Sequence, residues 1–326
     1  MDTQLITLLS DGDFHSGEAL GAKLGISRAA VWKRMESLVV AGVEIERVRG
    51  KGYRVPGGLQ LLNEKKLAAS AALPVEVLLT TGSTNAEALT RLQAGKSAPF
   101  ALLAEHQSAG RGRRGRSWSS PFASSVYLSV AWRFAVGAPR LEGLSLVVGV
   151  VIAEALAAAG LGDRVTLKWP NDILIGGRKI GGVLIELSGN LEDACTAVVG
   201  IGVNGRLSEV SSAAIDQPWT DFYQAAGQSM DRTAFAADLL QRLVVALSDF
   251  SATGFGAWRE RWLAFDALAG QRVTLSTVAS NTVGIAEGVD HSGALLLRVN
   301  GELQPFHGGE ASLRPVADSA TGGERR

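Results

Sequence analysis

The sequence holds one cysteine, Cys195, and only four histidines, and both shortages exclude chemistry. A single thiol builds neither a disulfide framework nor a cysteine zinc site, and Cys195 reads as a small core residue near a strand. His15, His106, His291 and His307 are scattered without metal-ligand spacing, so no protein metal site is expected. Net charge is also lacking. With 32 basic residues against 32 acidic ones, no global field draws the chain to nucleic acid or membrane, and any such affinity must be local. Met1-Asp2-Thr3 places no cationic stretch before an apolar run, so no signal peptide is read. The apolar stretch Leu144–Ala159 is broken by Gly149 and Glu154 and is short for a bilayer, so a cytoplasmic protein without a membrane partner is expected.

What is present is a globular composition, 46% apolar and 20% charged, and at 326 residues the chain is long enough for two or three domains. The first part reads as three short helices and a hairpin. Gln4–Ser10 is the first helix, Ser16 caps Gly17–Leu24, and Gly25-Ile26 turns into a third helix capped by Ser27. In that helix Val31, Met35 and Leu38 share one face, and Gly42 ends it. Strands are expected at Val43–Val48 and Tyr53–Val55, around an Arg49-Gly50-Lys51-Gly52 turn. This is the order of a winged helix-turn-helix, spanning residues 1–60. The outward residues beside the capping Ser27 are Arg28, Ala29, Trp32 and Lys33, which would read a DNA groove, with Arg49 and Lys51 on phosphate. From Arg28 to Arg54, seven cations stand against three carboxylates, so one copy binds DNA weakly and a dimer on a two-fold operator is needed. The same unit could instead serve as a protein-interaction module.

Residues 61–268 mix strands with helices, giving an α+β body with a central mixed sheet. Thr84-Asn85-Ala86-Glu87 has the pattern of a capping box that opens a helix towards Ala94. Ser125–Phe134, Val165–Trp169, Lys179–Leu187 and Ala197–Asn204 read as strands, and Leu141–Ala159 and Thr233–Asp249 as helices. Short strands within 269–317 suggest a small C-terminal β-barrel, and residues 318–326 a disordered tail.

The chemistry concentrates in Gly110-Arg111-Gly112-Arg113-Arg114-Gly115-Arg116-Ser117-Trp118, where three glycines alternate with four arginines. Glycine lets the backbone approach a ligand, and arginine offers planar charged forks to carboxylate and phosphate. The combination suits a carboxylic acid being activated by ATP. An RG-rich nucleic-acid tail has a similar composition, but this run is single, short and flanked by strand-like sequence. Neither a Walker A sequence nor a dinucleotide-binding fingerprint is present. Lys168-Trp169-Pro170-Asn171-Asp172 reads on its own as a strand end and surface turn, with Lys168 on the face opposite Trp169. Lys179 alone reads as a solvated lysine, although Gly181-Gly182 beside it implies a close approach by a ligand or backbone.

Taken together, Ser83-Thr84-Asn85, Gln107, Gly110–Trp118, Lys168–Asp172 and Arg178–Gly182 resemble the biotin–protein ligases, and the N-terminal unit resembles their bifunctional subgroup, the biotin operon repressors. The similarity runs from about residue 5 to 316. It implies a body like the class II aminoacyl-tRNA synthetases and an SH3-like C-terminal barrel. It also implies a two-step reaction. Biotin and ATP, with Mg²⁺ on the phosphates, give biotinyl-5′-AMP and pyrophosphate. A lysine of the biotin carboxyl carrier protein, a subunit of acetyl-CoA carboxylase, then takes the biotinyl group. By resemblance, Ser83, Thr84, Asn85 and Gln107 surround the biotin rings, Arg111, Gly112 and Arg113 close over carboxylate and phosphate, and Lys179 faces the acyl phosphate above Gly202. The nucleotide is expected against Arg113, Arg114, Gly115, Arg116, Trp118, Lys168, Asn171 and Asn204, with Trp219 and Arg314 flanking adenine. Lys179, Arg111 and Asp172 are the expected catalytic residues, Asp172 to orient or deprotonate the incoming amine. The resemblance further implies a homodimer promoted by biotinyl-5′-AMP as corepressor. A lipoate or octanoate ligase, or a biotin-sensing repressor without catalysis, is the competing reading; the Gly/Arg loop, the Lys-Trp-Pro-Asn-Asp turn and the winged helix weigh against the first, and Lys179 with the loop arginines against the second.

Overall fold

A computed structural model describes residues 3–190, 192–277, 280–308 and 312–315, so the expected tail at 318–326 lies outside the described residues. Helices α1 (Thr3–Leu9), α2 (Gly17–Leu24) and α3 (Arg28–Val40) lead into a hairpin of β1 (Glu46–Val48) and β2 (Gly52–Arg54). The caps form as read: Ser16 Oγ accepts from Ala19 N at 3.0 Å and Ser27 Oγ from Ala30 N at 3.2 Å. Leu5, Ile6, Leu20, Val31, Met35 and Leu38 close a small core. At the end of α3, Gly42 has φ +88° and donates to Val39 O, while Val43 donates to Leu38 O at 3.0 Å. Those paired bonds are a Schellman ending. They also shorten the expected first strand, because Val43 spends its N–H on the helix and its side chain in the core.

The body follows with α4 (Glu64–Ser70), β3 (Val75–Leu78), α5 (Thr84–Gln93), β4 (Phe100–Ala104), β5 (Ser125–Phe134), α6 (Leu144–Leu156), β6 (Val165–Lys168), β7 (Asp172–Ile175), β8 (Arg178–Asn190) and β9 (Ala194–Asn204). Short helices α7 (Glu209–Ser212) and α8 (Phe222–Ala226) precede the long α9 (Arg232–Thr253) and α10 (Arg259–Leu263). The strands form one sheet in the order β3-β4-β5-β9-β8-β7-β6. Only β3 and β4 run parallel, so the sheet is mixed, as expected. Strand alternation divides its faces. Ala101, Leu103, Val199 and Ile201 turn towards α6 and α9, whereas Phe100, Leu102, Ala131 and Val198 turn towards α5. Eleven of the thirteen residues of α6 are buried, which makes its apolarity that of a core helix. It is shorter than expected at both ends, bounded by Gly143 at φ +78° and by a widened turn in which Gly160 has φ +108°.

Strands β10 (Arg272–Ser276), β11 (Asn281–Val289), β12 (Leu295–Val299), β13 (Glu302–Phe306) and β14 (Ser312–Pro315) form a second antiparallel sheet, ordered β13-β12-β11-β10-β14. Its Val273, Leu275, Leu297 and Leu313 join the core of the body. The N-terminal unit is fastened differently. Phe122 of the body inserts into its core and donates its N–H to Ala41 O at 2.8 Å. Behind it, Arg232 Nη1 donates to Glu105 Oε2 at 2.8 Å and to Ser125 O at 3.1 Å, and Nη2 donates to Gln60 O. Glu105 Oε1 accepts from Leu62 N.

Candidate active site

A cavity of about 1020 Å³ opens over the α5 face of the sheet, lined by residues of β6, β7, β8 and β9 and by β14 of the C-terminal sheet. Its chemistry begins at a fault in β8. Ile173 pairs with Gly181 but Leu174 pairs with Lys179, so Ile180 is an extra residue, buried in the core. Strict alternation would set Lys179 on the face opposite Gly182; the bulge brings both to one face. The Lys179 side chain lies across Gly182, where an added Cβ would stand 3.4 Å from Nζ. Its main chain is pinned by Pro218 O and Thr220 N, at 3.0 and 2.9 Å.

Lys179 Nζ meets Asp172 Oδ1 at 2.6 Å, and Lys168 Nζ meets Oδ2 of the same carboxylate at 3.0 Å. Burial alone would push the Asp172 carboxyl up, but the two ammonium groups outweigh it and hold the carboxyl below its ordinary value. A carboxylate with both oxygens engaged and its proton affinity lowered is a weak base. The geometry therefore weighs against deprotonation of the incoming amine, and the group that the carboxylate holds is Lys179, which differs from the expected orienting of that amine.

The Gly/Arg run is a tight hairpin, not an extended tail. Arg111 bridges to Ser117, Gly112 N donates to Arg116 O at 2.7 Å, and Trp118 N donates to Gly110 O at 2.9 Å. Its tip passes through Arg114 and Gly115, both at positive φ. Gly110 has no room for a side chain, since a Cβ would stand 2.5 Å from Trp118 O. Arg113 donates from Nη1 to Asn171 Oδ1 at 3.1 Å and from Nη2 to Gly308 O at 2.8 Å, tying the hairpin to both sheets. The Trp118 indole lies on Gly202, where a Cβ would come within 2.5 Å of the ring, and Lys179 Nζ is 5.4 Å from its centroid. Trp118 Nε1 is buried without a partner among the described residues.

The opposite end of the cavity is neutral and polar. Here the expected capping box does not form. Ser83 is the N-cap of α5 without a side-chain cap bond, and Gln107 from the chain after β4 caps the helix instead. Gln107 Oε1 accepts from Thr84 N at 2.8 Å and from Thr84 Oγ1 at 3.1 Å. Gln107 Nε2 donates to Ser120 Oγ at 2.8 Å. Ser129 Oγ, one strand away, lies 2.7 Å from Thr84 Oγ1 and 2.6 Å from Asn85 Oδ1. Helix capping thus no longer accounts for Thr84, which lines the cavity.

Of the residues singled out in the sequence, Ser83, Thr84, Asn85 and Gln107 line the neutral end of this cavity. Arg111, Gly112, Arg113, Arg114, Arg116 and Trp118 line its roof. Lys168, Asn171, Asp172, Lys179, Gly202 and Arg314 complete the wall. Gly115, Asn204 and Trp219 sit instead in an adjoining hollow of about 460 Å³ that shares Trp118 and Lys179. Asn204 is buried and donates to Thr220 O at 3.0 Å. Sequence reasoning passed over Ser129, Gly200 and Glu186, all gathered around Asn85. Their signal was present as alternation, since Glu186 follows Gly182 and Leu184 on one face of β8.

Elsewhere, Arg28, Ala29, Lys33, Arg49 and Lys51 are exposed, as is Trp32 at 51%. Ser27 is spent on its cap. Lys51 and Arg54 lie over the Phe14 ring, and Arg47 pairs with Glu36, bracing the hairpin against α3.

Known proteins match this architecture segment by segment. Residues 2–54 match the HTH domain, 79–204 the Biotin/lipoate A/B protein ligase family and 269–314 the Biotin protein ligase C terminal domain. The chain is 43% identical to the bifunctional ligase/repressor BirA of Escherichia coli strain K12, covering 95% of this chain and 96% of that one. It is 31% identical to the BirA of Bacillus subtilis strain 168, over 95% and 97% of the two chains. Among solved structures, biotin protein ligase from Aquifex aeolicus in complex with biotin and ATP superposes with a TM-score of 0.64 at 28% identity, covering 74% of this chain and 99% of that one. With all three segments in order and that identity sustained over nearly the whole of both chains, the chain belongs to the biotin–protein ligase family, in its branch of bifunctional ligase/repressors.

Proposed function

We propose that the protein joins biotin to ATP as biotinyl-5′-AMP, transfers the biotinyl group to a lysine of a biotin carboxyl carrier protein, and represses transcription as a dimer loaded with that adenylate. One observation carries the ligase reading: a lysine held by a carboxylate under an arginine-rich hairpin, at one end of a cavity whose other end is a neutral polar cluster. The neutral end suits the ureido group of biotin, which needs donors and acceptors, better than the apolar ring of a lipoyl group. A biotin carboxylate oxygen attacks the α-phosphorus, the bond to the β-phosphate oxygen breaks, and pyrophosphate leaves. Mg²⁺ travels with the nucleotide and neutralises its phosphates. In the second step the acceptor amine attacks the acyl carbon, the acyl–oxygen bond breaks and AMP departs.

Lys179, fixed by Asp172, stabilises the charge that develops on the acyl phosphate in both steps, and Arg111 and Arg113 hold the reacting carboxylate and phosphate. Arg114, Gly115, Arg116, Trp118, Lys168, Asn171 and Asn204 serve the nucleotide, with Trp219 and Arg314 flanking its adenine. We infer a cytoplasmic location, shared with the acceptor. The test is incubation with labelled biotin, ATP–Mg²⁺ and a carrier domain. Label on one carrier lysine, with biotinyl-5′-AMP detected before transfer, is expected; absence of label defeats the reading.

For repression, α3 presents Arg28, Ala29, Trp32 and Lys33 to the major groove while Arg49 and Lys51 touch phosphate. Removal of residues 1–60 is expected to abolish operator binding and to leave residual ligation, because the cavity takes none of its walls from that segment. Operator binding by the truncated chain refutes the assignment. Sedimentation alone, with biotin, and with a non-hydrolysable biotinyl-AMP analogue is expected to show the tightest dimer in the last state. Equal association in all three overturns adenylate as corepressor.

A further inference from the structure

We propose that Glu186 is a positioning residue of the biotin-binding end, setting which way Asn85 presents its amide and where Arg111 rests. The role builds on the ligase reading above and concerns a carboxylate that it leaves without a task. Glu186 stands on β8 two residues beyond Leu184, on the cavity face, and one oxygen, Oε2, accepts from Asn85 Nδ2 and from Arg111 Nη2, each at 2.9 Å. Asn85 Nδ2 also donates to Leu184 O at 3.2 Å. Asn85 is 3% exposed, and its Oδ1 lies so close to Gly200 that a Cβ there would stand 2.4 Å away.

An asparagine amide can be turned end for end at almost no steric cost, so its neighbours decide its orientation. An ionised carboxylate only accepts, and the Leu184 carbonyl only accepts, so together they require Nδ2 on their side and Oδ1 towards Ser129. The consequence runs on through the cluster. Ser129–Asn85, Ser129–Thr84 and Thr84–Gln107 are three oxygen–oxygen contacts of 2.6, 2.7 and 3.1 Å, and only two hydroxyl protons serve them. One contact is therefore left without a proton, and the cluster has an unmet demand for a donor. A ureido N–H supplies one. Were Asn85 turned, its NH₂ would face Ser129 and meet that demand internally, removing the reason for the ligand to bind. Glu186 holds the cluster in its acceptor-rich state. By the same oxygen it keeps Arg111, at the base of the hairpin, beside the neutral end.

Glu186→Gln keeps the shape but lets the group donate as well as accept, so Asn85 is no longer constrained. The experiment compares the full-length wild type, E186Q and E186D by biotin and ATP titrations of adenylation, equilibrium binding of biotin and of 2-iminobiotin, and thermal melting. For E186Q, the KM for biotin is expected to rise about tenfold or more, as for one lost hydrogen bond to a charged group. The KM for ATP should stay within about twofold, and binding of 2-iminobiotin, which keeps both ring N–H groups, should weaken in parallel with that of biotin. E186D, which retains the charge, should fall between wild type and E186Q, and melting should be unchanged in both. A biotin KM within about twofold of wild type in E186Q overturns the role, as does a loss shared equally by both substrates and matched by lower melting. Wild-type protein that binds no biotin fails the ligase reading itself, a result separate from any ranking of the variants.

Discussion

Glu105 and Asp172 are both carboxylates withdrawn from solvent and paired with cations, yet they do opposite work. Glu105 and Arg232 form a balanced pair with side chains 2% and 7% exposed, and their remaining capacity goes to main-chain groups of Gln60, Leu62 and Ser125. Asp172 lies between two lysines, so its cluster carries a surplus positive charge, and that surplus faces a cavity. An unbalanced charge sealed in a core is costly, whereas one bordering an open cavity keeps its water until an anion replaces it. Charge balance thus separates the joint that fastens the N-terminal unit from the group placed to meet a ligand.

The comparison breaks most visibly at the joint. Arg232→Met strands the Glu105 carboxylate and is expected to lower unfolding free energy by about 3–5 kcal/mol, measured by denaturant titration. A second substitution, Glu105→Leu, should recover much of that loss. A cost below about 1 kcal/mol would mean that water reaches the pair. The folded fraction of Arg232→Met should still form adenylate, because neither partner lines the cavity.

At the cavity the reverse holds. Lys179→Ala leaves Asp172 its other lysine, so stability should change little, but adenylation should slow about 100- to 1000-fold, near the ~3 kcal/mol of one lost charge-stabilising contact. Single-turnover formation of biotinyl-5′-AMP reads this directly, and an unchanged rate removes Lys179 from the chemistry. A smaller effect is expected from Gly202→Ala. Its Cβ collides with the Trp118 indole, an overpacking of about 1–3 kcal/mol that should raise both substrates' KM and shift tryptophan fluorescence. Unaltered fluorescence and kinetics would show that the hairpin yields freely.

Acidity gives the smallest expected response. The folded carboxyl of Asp172 lies below its unfolded value of 3.8, so the stability it contributes is present above that value and is lost as pH falls through the lower, folded one. Between about pH 5 and 8 Asp172 stays ionised, and the rate of biotinyl transfer from the adenylate to the carrier lysine should show no limb that Asp172→Asn removes. An acid limb abolished by that substitution would reinstate Asp172 as a base.

The sequence by itself determined the parts governed by neighbours along the chain. Caps at Ser16 and Ser27, the glycine ending of α3, the stripe of Val31, Met35 and Leu38, and the β5 span all follow from spacing and conformational preference. The Gly/Arg hairpin announced its chemistry through composition. Tertiary structure decided what depends on residues distant in sequence. Thr84 had an adequate local explanation as a capping residue until Gln107, 23 positions on, took over the cap. Alternation would have placed Lys179 away from Gly182, and only the bulge at Ile180, set by pairing with β7, turns it to Asp172. Glu186 remained unnoticed because its partners lie 101 and 75 residues away. Local patterns fix backbone conformation, but a polar group's task is fixed by which donors and acceptors folding brings to it.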